Sequence, residues 1–516
     1  MKKFLSSKGF IFLLPVSISG IFYFFTASRQ LTFANYGGDG GDFLAAILTA
    51  GIPHPTGYPT YTLLGIIFQH FPLGDPYFRA GLLSWLPAAL GAGLLAIGAQ
   101  KFLPENISPF QRTIISIISG LVWGLMPFLW SQAVIIEVHG LQSLFLVLTM
   151  WWLLFLFKEA PNQKNLFLFI LFSFCFGLGI GNHITILLFL PAILFGFFYA
   201  SKNGNSTRHI IYQIIGILLG SLVYLYLPLR ASHYPPINWG NPQTFQGFWW
   251  VVSGSPYQKL ISNITSIQVI TRISALAGLI MEQFGIPGII LGILGAVQYT
   301  QKRNPVSLAL LYIFLAFSVF SILYGTDDSL AYLLATYLVF VIWIAVGLSI
   351  LISNKWKKYP VGKILMAGYF VFILVNIPKT IQMINPRGHS EPAKYAQSLL
   401  ENVPKNAIIL TSSDDDSFPL WYYHFGLKIR PDVKVIVLPL TQFQWYQQIL
   451  MHTYPKLNFP DIISQTANQN QNWGERIPEL NPQHPVCKSN IIQTPNRLII
   501  IVCSTGESFQ FDISGK

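Results

Sequence analysis

Two carboxylates three positions apart, Asp39 and Asp42, and a histidine, His54, lie in YGGDGGDFLAAILTAGIPHPTGYPTYTLLG, residues 36–65. Carboxylates and imidazoles are the side chains that take and return protons in catalysis near neutral pH. This stretch follows directly on a long apolar segment, which places the groups at the edge of a membrane. Ionisable side chains there are costly to keep, so each is a functional candidate by default. A second reading stands beside this one. Asp-x-x-Asp ahead of FLAAILTA also resembles a helix N-cap with an acidic partner at the third helical position. Both can hold, one carboxylate capping while the other reacts. His54, followed by Gly57, Tyr58 and Pro59, is equally suited to fixing a turn.

The elements that must carry these groups are membrane helices. Of 516 residues, 52% are hydrophobic and 10% charged, with mean hydropathy +0.50, the composition of a polytopic membrane protein. Spans are expected near 10–27, 80–100, 113–133, 139–157, 165–182, 184–201, 209–228, 284–300, 306–325, 330–352 and 362–378, a bundle of about 11 transmembrane helices. With the N-terminus in the cytoplasm, Lys101, Arg112, Lys158, Lys164, Lys202, Arg208, Lys302, Arg303 and the 355–363 lysines all fall on the inner side. The opposite loops hold only Arg29, Arg79, Arg230, Lys259 and Arg272 before the tail. That is the positive-inside pattern. The net charge of +12 therefore reads as topogenic, and nucleic-acid binding is excluded as its explanation. Residues 1–28 read as a retained anchor, since the apolar run lacks a small-residue cleavage site.

Residues 1–378 form the expected membrane domain and 379–516 a small α/β domain outside the cytoplasm. The first outer loop, 28–78, holds short helices along the interface, because counting 57–72 as a crossing would reverse every later loop. A second outer loop covers 229–283; its Trp239, Trp249 and Trp250 suit either an interfacial belt or a lid. In the tail, AIILTS and VKVIVLPL read as strands between helices, and NRLIIIVC with FQFDI as a terminal hairpin. Cys175 lies in a span. Cys487 and Cys503 share the tail, and spacing alone leaves their pairing open.

This topology puts the unusual polar residues on one side: Asp39, Asp42 and His54, then Glu137 and His139, Asn182 and His183, Arg230, and Asp327 and Asp328. A transporter tends to scatter ionisable groups near the midplane. A cavity opening on the outer leaflet fits better.

The stretch GGDGGDFLAAILTAGIPHPTGYPTYTLLG resembles the N-terminal signature, roughly GGDSGE…HPPGYPLY, of a bacterial and eukaryotic multi-pass family long described as of unknown function. Its animal member is an endoplasmic-reticulum protein O-mannosyltransferase acting on immunoglobulin-like receptor domains. EVHGLQSLF, GLGIGNHITILLFLPA, LPLRASHYPPINWGNPQTFQGFWWVVSG, AIILTSSDDDSFPLWYYH and RPDVKVIVL extend the resemblance over most of the chain. Departures are Gly40 for Ser, Asp42 for Glu and Thr56 for Pro; the shorter reach of Asp42 bears on its role. The resemblance implies a GT-C glycosyltransferase in a bacterial plasma membrane. It would use a polyprenyl-phosphate-linked sugar donor, mannose among the candidates, and a protein or glycan acceptor.

Sugar transfer to a hydroxyl needs a base, and a departing phosphate needs a cation. Asp39 and Asp42 are the catalytic candidates, with Asp39 the base, and Arg230 the phosphate ligand. Direct displacement would invert the anomeric centre. His54, Tyr58, Glu137, His139, Asn182, His183, Asn238, Trp239 and Asp328 are substrate-binding candidates. Each has a local alternative: interfacial partners for the histidines, snorkelling for Arg230, capping for Asp328. Asp414, Asp415 and Asp416 follow a strand, where ligands bind in α/β folds, and capping explains them as well. No strong metal motif occurs; some GT-C enzymes use a divalent ion, so the metal stays open. A transporter or flippase of lipid-linked saccharide, or a non-catalytic scaffold, are the competing functions.

Overall fold

The structure is a computed structural model describing residues 7–158, 166–202, 207–262, 265–301, 303–353, 361–462, 473–493 and 497–514. Apolar runs without water must satisfy their backbone internally, so they fold as helices. The helices are α1 Lys8–Thr26, α2 Gly40–Thr49, α3 Pro59–Gln69, α4 Pro76–Ala99, α5 Pro109–Leu125, α6 Pro127–Ala133, α7 Val138–Lys158, α8 Leu166–Asn182, α9 Leu190–Lys202 and α10 Thr207–Ser221. There follow α11 Tyr226–Ala231, α12 Phe245–Val252, α13 Lys259–Ser262, α14 Ser266–Thr300, α15 Pro305–Leu323, α16 Leu334–Ser353 and α17 Val361–Ile384. Their starts follow from local chemistry. Ser108 and Gln111 form a capping box ahead of α5, as Thr265 and Gln268 do ahead of α14, and proline stands at the first turn of α4, α5 and α15.

Among the described residues, nine helical stretches are long and apolar enough to cross a bilayer. The α5–α6 pair, bent by 58°, makes a tenth, and the shorter apolar α8 occupies the remaining expected position. At 11 residues, α3 is about 16 Å long and cannot cross ~30 Å of hydrocarbon. The expected loop 229–283 is a different matter. It is largely helical, and α14 begins at Ser266, far ahead of the span expected at 284. Gln268, Arg272 and Ser274 interrupt the hydropathy of this segment, which the Thr265–Gln268 capping box starts as helix. Gly285, at φ +64°, breaks this long helix.

The tail folds around helices α18 Glu391–Asn402, α19 Asp414–Trp421 and α20 Gln444–Thr453. Its strands are β1 Ile408–Thr411, β2 Lys434–Val437, β3 Val486–Gln493, β4 Arg497–Cys503 and β5 Ser508–Asp512. The 5-stranded sheet runs β2-β1-β3-β4-β5, with β1 parallel to both neighbours and β3–β4–β5 antiparallel. β3 is the strand that sequence patterning misses, because Lys488, Ser489 and Asn490 interrupt its apolar run. Cys487 and Cys503 stand opposite each other on β3 and β4 and form a disulfide.

This α/β domain docks on the bundle through α19, which lies on α2. A Cβ at Gly41 would come within 2.4 Å of the Phe418 carbonyl oxygen. Only glycine permits that approach. Gly41→Val should therefore cost about 1–3 kcal/mol or more by overpacking, seen as a lower Tm and faster proteolysis between bundle and domain. Gly38→Ala, whose Cβ meets nothing within 4 Å, should leave both unchanged.

Candidate active site

Asp42 sits in the first turn of α2 and is fully buried. One carboxylate oxygen accepts from the His54 backbone N–H at 2.9 Å and faces His54 Nδ1 at 2.7 Å. The other accepts from Trp239 Nε1 at 3.3 Å. Asp39 occupies the N-cap position without a side-chain capping bond. The capping reading thus describes neither carboxylate.

The 50–58 turn that presents His54 is held from several sides. Ile52 N–H donates to the Ile237 carbonyl at 2.8 Å, and Trp239 N–H to that of Ile52 at 3.2 Å. Tyr226 Oη bonds the Gly51 carbonyl at 2.8 Å, and Arg230 Nε the Ala50 carbonyl at 2.7 Å. At Gly57, φ is +81° and a Cβ would meet Val251 at 2.9 Å, so the turn needs glycine there. The imidazole packs among Phe43, Tyr58 and Trp239 and stacks on Phe418, with centroids 6.3 Å apart. Its Nε2 lies 3.6 Å from Asp39, whose side chain is 44% exposed. Burial works against the charge on His54. Asp39 first, then the hydrogen bond and charge of Asp42, override it and lift the pKa to about 9.

Asp39 and His54 open into a cavity of about 400 Å³ between the bundle and the α/β domain, which Tyr58, Glu137, His139 and His183 also line. The facing wall brings Tyr324 and Tyr332 from the α15–α16 connection and Asp414 and Phe418 from α19. His183 caps a 3₁₀ turn, its Nδ1 2.8 Å from Thr185 Oγ1. Burial, and then His139 and His54, hold its pKa down to about 3, leaving it neutral. Burial, then Asp39, push Asp414 up to about 7.

Other sequence candidates stand behind this wall. Asn182 is buried and donates to the Val138 carbonyl and Gln142 Oε1, bracing the Glu137–His139 corner. Asn238 donates to the Ala231 carbonyl and Asn241, and Trp239 acts through Asp42. Arg230, expected on a phosphate, is outside the lining and braces Ala50 instead. The side chain of Asp328 lies outside the described residues.

The three aspartates after β1 divide their work. Asp416 completes a capping box with Ser413, Asp415 pairs with Arg497, and Asp414 reaches the cavity. Sequence could show the cluster but not which member turns inward. Arg272, which the sequence reading did not single out, stands near this wall. It bonds the carbonyls of Ser321, Tyr324 and Thr326 and the Ser329 hydroxyl, behind the Tyr324 wall. Among the described residues, no group of three or more His, Cys, Asp or Glu is placed to hold a metal ion.

Residues 39–207 match the family described as protein O-mannosyl-transferase TMEM260 N-terminal domain, and 392–476 match TMEM260-associated domain 2. The mouse protein O-mannosyl-transferase TMEM260 is 24% identical over 455 residues, 82% of this chain and 62% of that protein. Its Dictyostelium discoideum namesake is 21% identical over 484 residues, 83% and 57% respectively. The chain thus spans about three fifths of the curated relatives it matches. Two solved structures share its fold. ArnT from Cupriavidus metallidurans, bound to undecaprenyl phosphate, superposes with TM-score 0.55 at 11% identity, covering 88% of this chain and 96% of that one. The archaeal oligosaccharyltransferase AglB from Archaeoglobus fulgidus, bound to an inhibitory peptide and dolichol phosphate, gives 0.53 at 12%, covering 93% and 70%. The bundle therefore has a GT-C-like fold.

His54 and Asp414 are both raised, so each loses stabilisation as pH rises, in a different window. His54 rises from an unfolded value near ~6.5 to about 9. Its charged form therefore stabilises the fold fully below the first value and is lost as pH passes the second. The Tm advantage of wild type over His54→Gln should shrink between pH 7 and 10. Asp414 is raised from ~3.9 to about 7, so its contribution is lost between those values as pH rises. Asp414→Asn should gain in Tm relative to wild type from pH 4 to 7 and hold constant above.

Proposed function

Because residues 39–207 and 392–476 match TMEM260 family models, we propose that the chain is a member of that family and a GT-C glycosyltransferase. It moves a sugar, mannose by analogy with the relatives, from a polyprenyl-phosphate donor to a protein or other hydroxyl acceptor. The cavity end of the bundle faces away from the cytoplasm, a reading supported by the lysines and arginines concentrated at the other end. The resemblance favours a bacterial plasma membrane as its site.

One observation carries the reading: an accessible carboxylate, Asp39, is set by a buried imidazolium that a second, wholly buried carboxylate holds in place. An adjacent imidazolium favours the carboxylate form, which is the form that accepts a proton. Asp39 takes the proton of the acceptor hydroxyl as its oxygen forms a bond to the anomeric carbon. The bond from that carbon to the phosphate oxygen breaks on the opposite face, the electron pair leaves with polyprenyl phosphate, and the configuration inverts. Asp42 and His54 are positioning residues: Asp42 is sealed behind His54, and His54, though it lines the cavity, acts on the acceptor proton through Asp39. Tyr324 and Tyr332 line the cavity as aromatic surface suited to the apolar side of a pyranose, and Glu137 and Asp414 suit its hydroxyls.

Purified protein supplied with a polyprenyl-phospho-mannose and a hydroxyl acceptor tests this. Asp39→Asn should lower kcat by about 10²–10⁴ with donor binding retained. Asp42→Asn should lower kcat and also Tm, because it breaks a buried charged network at a cost of about 3–5 kcal/mol. Wild-type turnover by Asp39→Asn refutes the assignment. Relocation of the lipid-linked sugar across a vesicle without transfer would identify a transporter instead.

A further inference from the structure

We propose that Arg272 supplies the positive charge that holds the donor phosphate, an inference that rests on the glycosyltransferase reading above. A departing lipid phosphate needs charge-assisted donors aimed at its oxygens. Among the described residues lining the cavity there is no lysine or arginine. His183 is held neutral, and the charge on His54 is already met by Asp39 and Asp42. Arg230 is committed to the Ala50 carbonyl and stands outside the lining.

Arg272, like Arg230, is outside the lining and bonds neutral oxygen, but two of its partners, Tyr324 and Thr326, line the cavity while Ala50 does not. Among the described residues its guanidinium bonds the carbonyls of Ser321, Tyr324 and Thr326 and the Ser329 hydroxyl. No described carboxylate pairs with it. Tyr324 and Thr326 are themselves lining residues, so the charge lies one residue behind the cavity wall. The same segment is tied across the cavity mouth, where Gly325 N–H donates to the Leu260 carbonyl at 3.0 Å. A phosphate oxygen forms stronger, charge-assisted bonds than a carbonyl does, so a phosphate arriving at Tyr324 can replace these partners.

The neighbourhood also suits an amphiphile. Ile267, Ile270 and Ile273, on the same turns of α14, are 78%, 66% and 53% exposed. At about 100° per residue these side chains lie on the side of α14 away from Arg272, so the helix turns apolar surface to lipid on one side and its charge to the cavity wall on the other.

The test is binding of a short polyprenyl phosphate, without sugar, to the full chain in nanodiscs, with the uncharged polyprenol as control. Arg272→Gln keeps donors for the carbonyls and removes the charge, so it guards against simple misfolding of Arg272→Ala. Both variants should weaken polyprenyl-phosphate binding at least tenfold and leave polyprenol binding unchanged. Arg272→Lys should fall between, and Arg79→Ala, an outer-loop arginine outside the lining, should bind like wild type. The donor KM should rise in Arg272→Gln more than kcat falls. Wild-type affinity in Arg272→Gln, or an equal loss in Arg79→Ala or Lys259→Ala, overturns the assignment. Failure of wild type itself to bind polyprenyl phosphate would instead count against the glycosyltransferase reading.

Discussion

A buried carboxylate without partners is among the most expensive things a protein can hold, and Asp42 is wholly buried. The chain answers with the His54 backbone N–H, the His54 imidazole and the Trp239 indole. Those donors come from segments far apart in sequence, so satisfying this charge forces the 50–58 turn and the 237–239 strand-like segment against α2. The Ile52–Asn238 bridge and the Tyr226 and Arg230 bonds then follow as the backbone part of the same junction. Remove the charge and there is no reason for His54 to point at Asp39.

The α/β domain depends on that junction as well. Phe418 stacks on His54 and Trp421 packs on Trp239, while Gly41 admits the α19 backbone against α2. The domain is thereby placed so that Asp414 closes one side of the cavity. A polar site at the meeting of two structural units is a common arrangement for ligand recognition. Here it combines accessible acids, one buried cation and aromatic walls. Arg272 organises the opposite wall through the carbonyls after α15, so bundle, loops and domain each contribute to one space.

Much of this was legible in the sequence, for physical reasons. Membrane helices announce themselves through composition, and the expected positions of the spans reappear, because hydrocarbon leaves a backbone few choices. Asp39, His54, Glu137, His139 and His183 were identifiable because ionisable residues at a membrane edge demand explanation. What sequence could not supply was direction. Asp39 and Asp42 read as a symmetrical pair, yet one faces the cavity and the other is sealed, a distinction set by the helical turn between them. Arg230 and Arg272 are chemically alike and both flank apolar runs; only tertiary contacts decide which backs the cavity. β3 and the first half of α14 were obscured by polar residues inside otherwise regular elements, where periodicity is weakest.

The central claim is that the Asp42–His54–Asp39 series defines the place where a sugar is transferred. A structure of the full chain with a non-cleavable polyprenyl-phosphonate sugar bound tests it most directly. The account predicts the sugar inside the cavity between His54 and Tyr332, with Asp39 on the face of the anomeric carbon opposite the phosphonate. A sugar seated elsewhere, or one whose phosphonate lies on the same face as Asp39, would contradict it.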